Sequence, residues 1–387
     1  MALHTLVISN RNVNQQPNRK KDKRLFGNQL TEDTNRIRVA KGLLNPLVKK
    51  RIPNRKTGKK TKLVAPSKPY KLDLCPVGGE AQLMRDMVAN DNGRPWLLFL
   101  HGNNQSFAKN MTKCRAIQEM YDVNLIVFSW PSLPYKDQLT FHLLAAAVKG
   151  IKKKWWSAKN SVKDGLEQKI RQYRCASDHA SMSCHDFVSA LQLITPNLLE
   201  PLKQLPNPPT VSMLVHSLGH KVLKHAHMTG ELNGFHFDSL VLHQADELKL
   251  DHQNWVGQLD IVAVPQEEIY VTCNQSDAAL MSSDIVNNLI PDSEWPHKFN
   301  ISDQTFLRAL SHARKFAFKD FEQLHRTRVG NRVVLPTPPY QNLDFTEDFH
   351  ALSVLLPFKK EVGFKHSIAW DKDTPDGVIH TIRDALF

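Results

Sequence analysis

The sequence predicts an α/β fold in which a mostly parallel central sheet is covered by helices on both faces. Three observations carry that reading. Short runs that are apolar throughout recur along the chain, amphipathic stretches of helical length separate them, and a serine and a His-Gly pair fall at the ends of two of these runs. Continuous apolarity over so few residues belongs to strands buried on both sides, as parallel strands are.

The elements follow in chain order. Trp96-Leu97-Leu98-Phe99-Leu100 reads as a strand, Ser106 to Tyr121 as a helix, and Val123 to Trp130 (VNLIVFSW) as the next strand. Val211 to Val215 (VSMLV), Leu240 to Leu242 after Phe235, and Ile269 to Thr272 continue the series, and Thr374 to Leu386 reads as a closing helix. Between the second and third strands lies a long insertion, about 133–209, expected as a helical cap. It holds an apolar piece, Phe141 to Val148, followed by Lys152-Lys153-Lys154-Trp155-Trp156. A helix of that kind covers a cleft or packs on the domain more readily than it anchors to a membrane surface, because the apolar piece is short.

Charge divides the chain. The 387 residues carry a net charge of +13, yet residues 1–62 alone hold 17 Lys and Arg against three acids, a net of +14. The remainder is therefore about neutral. Residues 1–65 are accordingly expected as a basic, extended N-terminal arm and 66–387 as the folded domain, since a segment so polar buries too little surface to offset its ordering entropy. Residues 11–62 would suit a polyanion or nucleic acid through phosphate neutralisation, or serve only as a solubilising extension. Apart from Phe26 no aromatic is available there for bases to stack on.

Composition excludes several classes. No apolar stretch reaches the roughly 18 to 20 residues of a membrane-spanning helix, and Met1 to Asn10 lacks the basic start and cleavage site of a secretory signal. The expectation is a cytoplasmic protein. The five cysteines, Cys75, Cys114, Cys175, Cys184 and Cys273, include no Cys-x-x-Cys pair, so neither a disulfide framework nor a zinc knuckle is expected. His216, His220, His225 and His227 form no His-Glu-x-x-His pattern, and no metal or other cofactor is expected.

The chemistry gathers in Val211 to Leu223 (VSMLVHSLGHKVL), an apolar strand, then His216-Ser217-Leu218-Gly219, then a helical pattern. A serine there sits at the tip of a sharp strand-to-helix turn that exposes its hydroxyl, with small neighbours where the backbone is crowded. The usual signature is G-x-S-x-G, and Val215 stands at its first position. Leu98 to Phe107 (LFLHGNNQSF) supplies the complement: a strand ending in His101-Gly102, then a loop into a helix. The backbone N–H groups of Asn103 and Leu218 would form an oxyanion hole, with Gly102 allowing close approach.

These blocks, with LVLHQADEL and IYVTCNQSDAALMSS, resemble a bacterial family of α/β-hydrolases of unknown function, whose members read FVHGxN, HSMG, a strand ending in APD, and S-x-x-D-x-AL-x-x-S. The RVGNRV block at Arg328 to Val333 and KHSIAW at Lys365 to Trp370 are similar to later blocks of that family. The resemblance spans about residues 95–387 and departs from the family at Val215, at Gln244-Ala245 before Asp246, and at Lys365. It implies an α/β-hydrolase fold and a site built around Ser217, and no particular substrate.

In such a fold the acid and the base follow the serine in the order Ser, acid, His. Asp277, in the polar loop after Ile269 to Thr272, is the first choice of acid, its structural alternative being the N-cap of a helix near Ala278; Asp246 is the second. His366 is the first choice of base. His350 is the alternative, although its neighbours Glu347 and Asp348 would favour its charged form. His216 and His101 are expected to position the turn and the oxyanion loop. The chemistry expected is attack by Ser217 on a small ester, thioester or amide. The competing reading is a non-catalytic polyanion-binding protein on a hydrolase scaffold.

Overall fold

The computed structural model describes residues 3–14, 25–33, 36–44, 48–54, 58–64, 70–132, 170–263, 268–274, 277, 279–280, 283, 286–287, 341–344, 366–371, 374 and 376–387. The strands are β1 (Thr5–Ser9), β2 (Arg11–Val13), β3 (Phe26–Leu30), β4 (Arg38–Leu44), β5 (Val48–Asn54), β6 (Gly58–Val64), β7 (Tyr70–Leu74), β8 (Trp96–Leu100), β9 (Asn124–Ser129), β10 (Val211–His216), β11 (Ser239–His243), β12 (Ile269–Cys273) and β13 (Gln341–Asp344). The principal helices are α1 (Glu80–Ala89), α2 (Phe107–Tyr121), α3 (Cys184–Ile194), α4 (Glu200–Lys203), α5 (Gly219–Met228), α6 (Lys249–Val256) and α7 (Asp376–Leu386).

Among the described residues nine strands form one sheet in the order β13-β12-β11-β10-β8-β9-β1-β4-β7. Every pairing from β13 to β1 is parallel, and β4 and β7 close one edge antiparallel. Side chains alternate between two cores, as strand geometry requires. Leu98, Leu100, Met213, Val215, Leu240 and Leu242 face one core, covered by α1, α3, α5 and α6. Leu97, Phe99, Leu214 and Val241 face the other, covered by α2 and α7. Because both faces are buried, the strands read as unbroken apolar runs.

The chain reverses direction across the sheet at β8. From β8 it passes through α2 to β9 on one side, and β10 returns on the other. Diverging connections leave a crevice above the carboxyl end of such a strand. Helix α2 begins there, with Ser106 Oγ accepting the Lys109 N–H at 3.3 Å as an N-cap.

Two expectations change. An extended arm over residues 1–65 does not describe β1 and β4, which lie within the sheet: Leu6, Val7 and Ile8 are buried, and β1 pairs with β9 in parallel register from Thr5↔Leu125 to Ser9↔Ser129. The domain therefore begins well before residue 66. The mean polarity of the segment hid a five-residue run, TLVIS, of the same kind as the other strands. Arg11 is also fully buried, so it is not part of a polyanion-contacting surface. In contrast β5 and β6 form a separate two-stranded sheet, paired from Val48↔Val64 to Asn54↔Gly58.

The second change concerns the insertion. Its residues 133–169, with Phe141 to Trp156, lie outside the described residues, as do His350 and Arg328 to Val333. From 170 onward it serves as a layer of the core, where Ala176, Ala180, Phe187, Val188 and Leu191 are buried against the sheet.

Candidate active site

Ser217 follows β10 with a left-handed φ of 52° and is 4 % exposed. A serine in that region is strained, and several hydrogen bonds hold it. Its N–H donates to the His243 carbonyl at 3.1 Å. Its own carbonyl accepts from the His220 N–H at 3.0 Å, from His220 Nδ1 at 2.7 Å and from the Asp246 N–H at 3.4 Å. The turn needs glycine at two places. A Cβ on Gly102 would stand 2.6 Å from the Ser217 Cβ and 3.1 Å from its Oγ, and one on Gly219 would stand 2.9 Å from the carbonyl oxygens of Leu100 and His101. Val215 meets no such restriction, since it is buried in the sheet core beneath the turn.

The loop that follows β8 lies against the serine. His101 is buried, with its ring stacked on Trp130 at 5.3 Å. The Trp130 N–H donates to His101 Nε2 at 3.2 Å, so Nδ1 carries the proton and donates to the Gly102 carbonyl at 2.8 Å. Burial, followed by the charge of Arg11, pushes its pKa well down and keeps the ring neutral. The peptide between Gly102 and Asn103 is planar and trans, so with its carbonyl turned to His101 its N–H points the opposite way. Leu218 lies at the start of α5, where N–H groups have no intrahelical partner.

The side chains of Asp277 and His366 meet. His366 Nδ1 donates to Asp277 Oδ2 at 2.6 Å, and in the neutral form of the ring this places the lone pair on Nε2. The other oxygen of Asp277, Oδ1, accepts the N–H groups of Ala279 and Leu280 at 2.9 and 3.1 Å. The capping role and the histidine contact therefore coexist in one carboxylate. The His216 ring, immediately before Ser217, stands 4.6 Å from the His366 ring, and this sets the pair beside the serine turn. Asp246 is engaged elsewhere. It accepts from Tyr173 at 3.0 Å and from Ser283 at 2.6 Å, which ties the helical run 170–182 to the strand end.

Several residues at the site carried no distinct signal in the sequence. Trp370 packs on His216 at 4.6 Å and His243 at 5.7 Å, and the Tyr121 hydroxyl donates to the Ala369 carbonyl at 2.7 Å, so α2 and the two strand ends hold the His366 loop. His243 Nε2 accepts the Ala369 N–H at 3.4 Å. His220 showed only as a histidine among others, and its bond to the Ser217 carbonyl depends on one turn of α5. Among the described residues no group of three or more His, Cys, Asp or Glu could hold a metal ion, and no helix is long and apolar enough to cross a membrane.

Residues 79–291 match the family described as alpha/beta hydrolase of unknown function (DUF900). The chain belongs to this family. The match takes in His101 to Asn103, Ser217 and Asp277 of this DUF900 hydrolase and ends before His366. No curated protein and no solved structure matches the chain.

Proposed function

We propose that this DUF900 hydrolase is a serine hydrolase acting on a carboxylic ester, thioester or amide. The observation that carries this reading is a serine in left-handed strain packed on Gly102, beside a histidine that donates to a buried aspartate at 2.6 Å. Ser217 Oγ attacks the carbonyl carbon while His366 Nε2 takes its proton, and Asp277 stabilises the imidazolium that forms. The N–H groups of Asn103 and Leu218 receive the oxyanion, where loss of one donor costs about 2.7–4 kcal/mol of transition-state stabilisation. Protonation by His366 expels the alcohol, thiol or amine. Water, activated by the same histidine, then releases the acyl group. No cofactor enters this scheme.

The test is a fluorophosphonate probe, in which Ser217 Oγ bonds phosphorus and fluoride leaves. Wild-type protein is expected to label, Ser217→Ala not to label, and Asp277→Asn to label more slowly by a factor of about 10³–10⁴. Folded protein that never labels, or labelling that survives Ser217→Ala, defeats the reading.

A second reading concerns polyanions and rests on β5 and β6. Residues 48–64 carry eight Lys and Arg and no acid, on a two-stranded ribbon separate from the main sheet. A ribbon of that kind fits phosphate neutralisation on duplex nucleic acid, and it is compatible with catalysis elsewhere. Replacing 48–64 with a short Gly-Ser turn is expected to abolish salt-sensitive binding of a 20-base-pair duplex. Unchanged binding and salt slope would remove this reading.

A further inference from the structure

We propose that Arg11 is a positioning residue for the oxyanion loop, holding Gly102 to Gln105 in the geometry that presents the Asn103 N–H. The proposal rests on the serine-hydrolase reading and extends it to a residue near the start of the chain.

The guanidinium of Arg11 is fully buried and contacts three parts of the fold. Nε donates to Ser129 Oγ at the end of β9 at 3.0 Å, one terminal nitrogen donates to the Gly27 carbonyl at 3.1 Å, and the other donates to the Gln105 carbonyl at 2.9 Å. All three acceptors are neutral, and among the described residues Arg11 pairs with no carboxylate. A buried charge without a counter-charge costs several kcal/mol, and a well-packed apolar side chain would serve stability better. Burial draws the pKa of Arg11 down to about 9, so the group is still cationic at neutral pH.

Its contacts converge on the loop. Ser132 Oγ accepts the Gln105 N–H at 3.1 Å and donates to the Gln105 carbonyl at 3.4 Å, while the Ser132 carbonyl accepts the N–H of Asn104, whose φ is 59°. Gln105 Nε2 donates to the Asn103 carbonyl at 3.0 Å, and His101 holds the Gly102 carbonyl. The carbonyls of Gly102, Asn103 and Gln105 are thus held, and so are the N–H groups of Asn104 and Gln105. The Asn103 N–H has no partner among the described residues. Arg11 anchors the far end of this chain of bonds to β9, and its charge helps to keep His101 neutral, with its one proton on Nδ1. A planar fork spanning three acceptors is a task for arginine, and a lysine ammonium cannot copy it.

The test compares Arg11→Met and Arg11→Lys with the full-length wild type. The first readout is fluorophosphonate inactivation, resolved into a maximal rate and an affinity, on protein with wild-type circular dichroism. The second is amide hydrogen exchange over residues 102–106 in a Ser217→Ala background, which needs no serine chemistry. The expected result is a maximal rate about 10- to 100-fold lower at unchanged affinity, with faster exchange in the loop, for both variants. Arg11→Lys carries the test if Arg11→Met does not fold. A folded variant with the wild-type rate overturns the proposal, and so does unchanged exchange. If wild-type protein never labels, the serine-hydrolase reading fails, and the exchange result still decides whether Arg11 holds the loop.

Discussion

A Cβ added to Gly102 would stand 2.6 Å from the Ser217 Cβ and 2.9 Å from the His216 carbonyl, both attached to a turn that several hydrogen bonds keep in place. Neither neighbour is the far end of a flexible side chain, so the backbone must move. Gly102→Ala is therefore expected to destabilise the fold by about 1–3 kcal/mol and to slow fluorophosphonate labelling sharply, measured by denaturant titration and probe kinetics. Wild-type values for both would mean that the loop stands farther from the serine than this geometry has it. Here the sequence was partly legible. The His-Gly pair and the serine turn were readable as strings, whereas the reason that glycine is needed at 102 and 219, and not at 215, lies in atoms brought up across the sheet, the Ser217 Cβ and His216 carbonyl at 102 and the Leu100 and His101 carbonyls at 219. Asp277 illustrates the same limit, because a cap and a histidine partner look alike in sequence and one carboxylate has two oxygens.

At the scale of elements, the interior strands were legible because burial on both faces demands unbroken apolar runs. Trp96–Leu100 and Ile269–Cys273 fall within a residue of the positions read from sequence. The strands toward the β7 edge were not. β7 (YKLDL), the edge strand, alternates between half-buried and exposed positions, and its neighbour β4 (RVAKGLL) mixes charged with apolar residues and is only partly buried. β1 failed for another reason: it is apolar but sits in a basic surrounding, and its parallel partner β9 lies more than a hundred residues away. Loss of a buried side chain such as Leu6 or Ile8 costs about 2–5 kcal/mol on truncation to alanine. Removal of the whole N-terminal segment would therefore unfold the sheet and answer nothing about polyanions. For that reason the binding test shortens only the β5–β6 ribbon, where strand pairing is confined to the ribbon itself.

For the molecule as a whole, four buried histidines around the site, His101, His216, His220 and His243, are held neutral. Burial lowers their pKa, to about 4 for His220 and well below 6.5 for the other three. The unfolded chain binds protons at these groups below pH 6.5 and the folded chain does not, so stability is intact above that pH and falls as pH drops toward 4. Each group adds a slope of up to about 1.4 kcal/mol per pH unit. Denaturant midpoints are expected to be level between pH 7 and 8.5 and to fall steeply from pH 6.5 to 5, above the range where most carboxylates titrate. A level profile down to pH 5 would show that these rings take up protons inside the fold. The strands from β8 to β12, the turn bearing Ser217 and the family of the chain were contained in the local pattern of residues, since apolar periodicity and turn chemistry act over short distances. What joined Asp277 to His366, drew β1 and Arg11 into the centre and set the glycines against the serine was the closing of the sheet. Those contacts span up to about 120 residues, and no local pattern encodes a partner that far away.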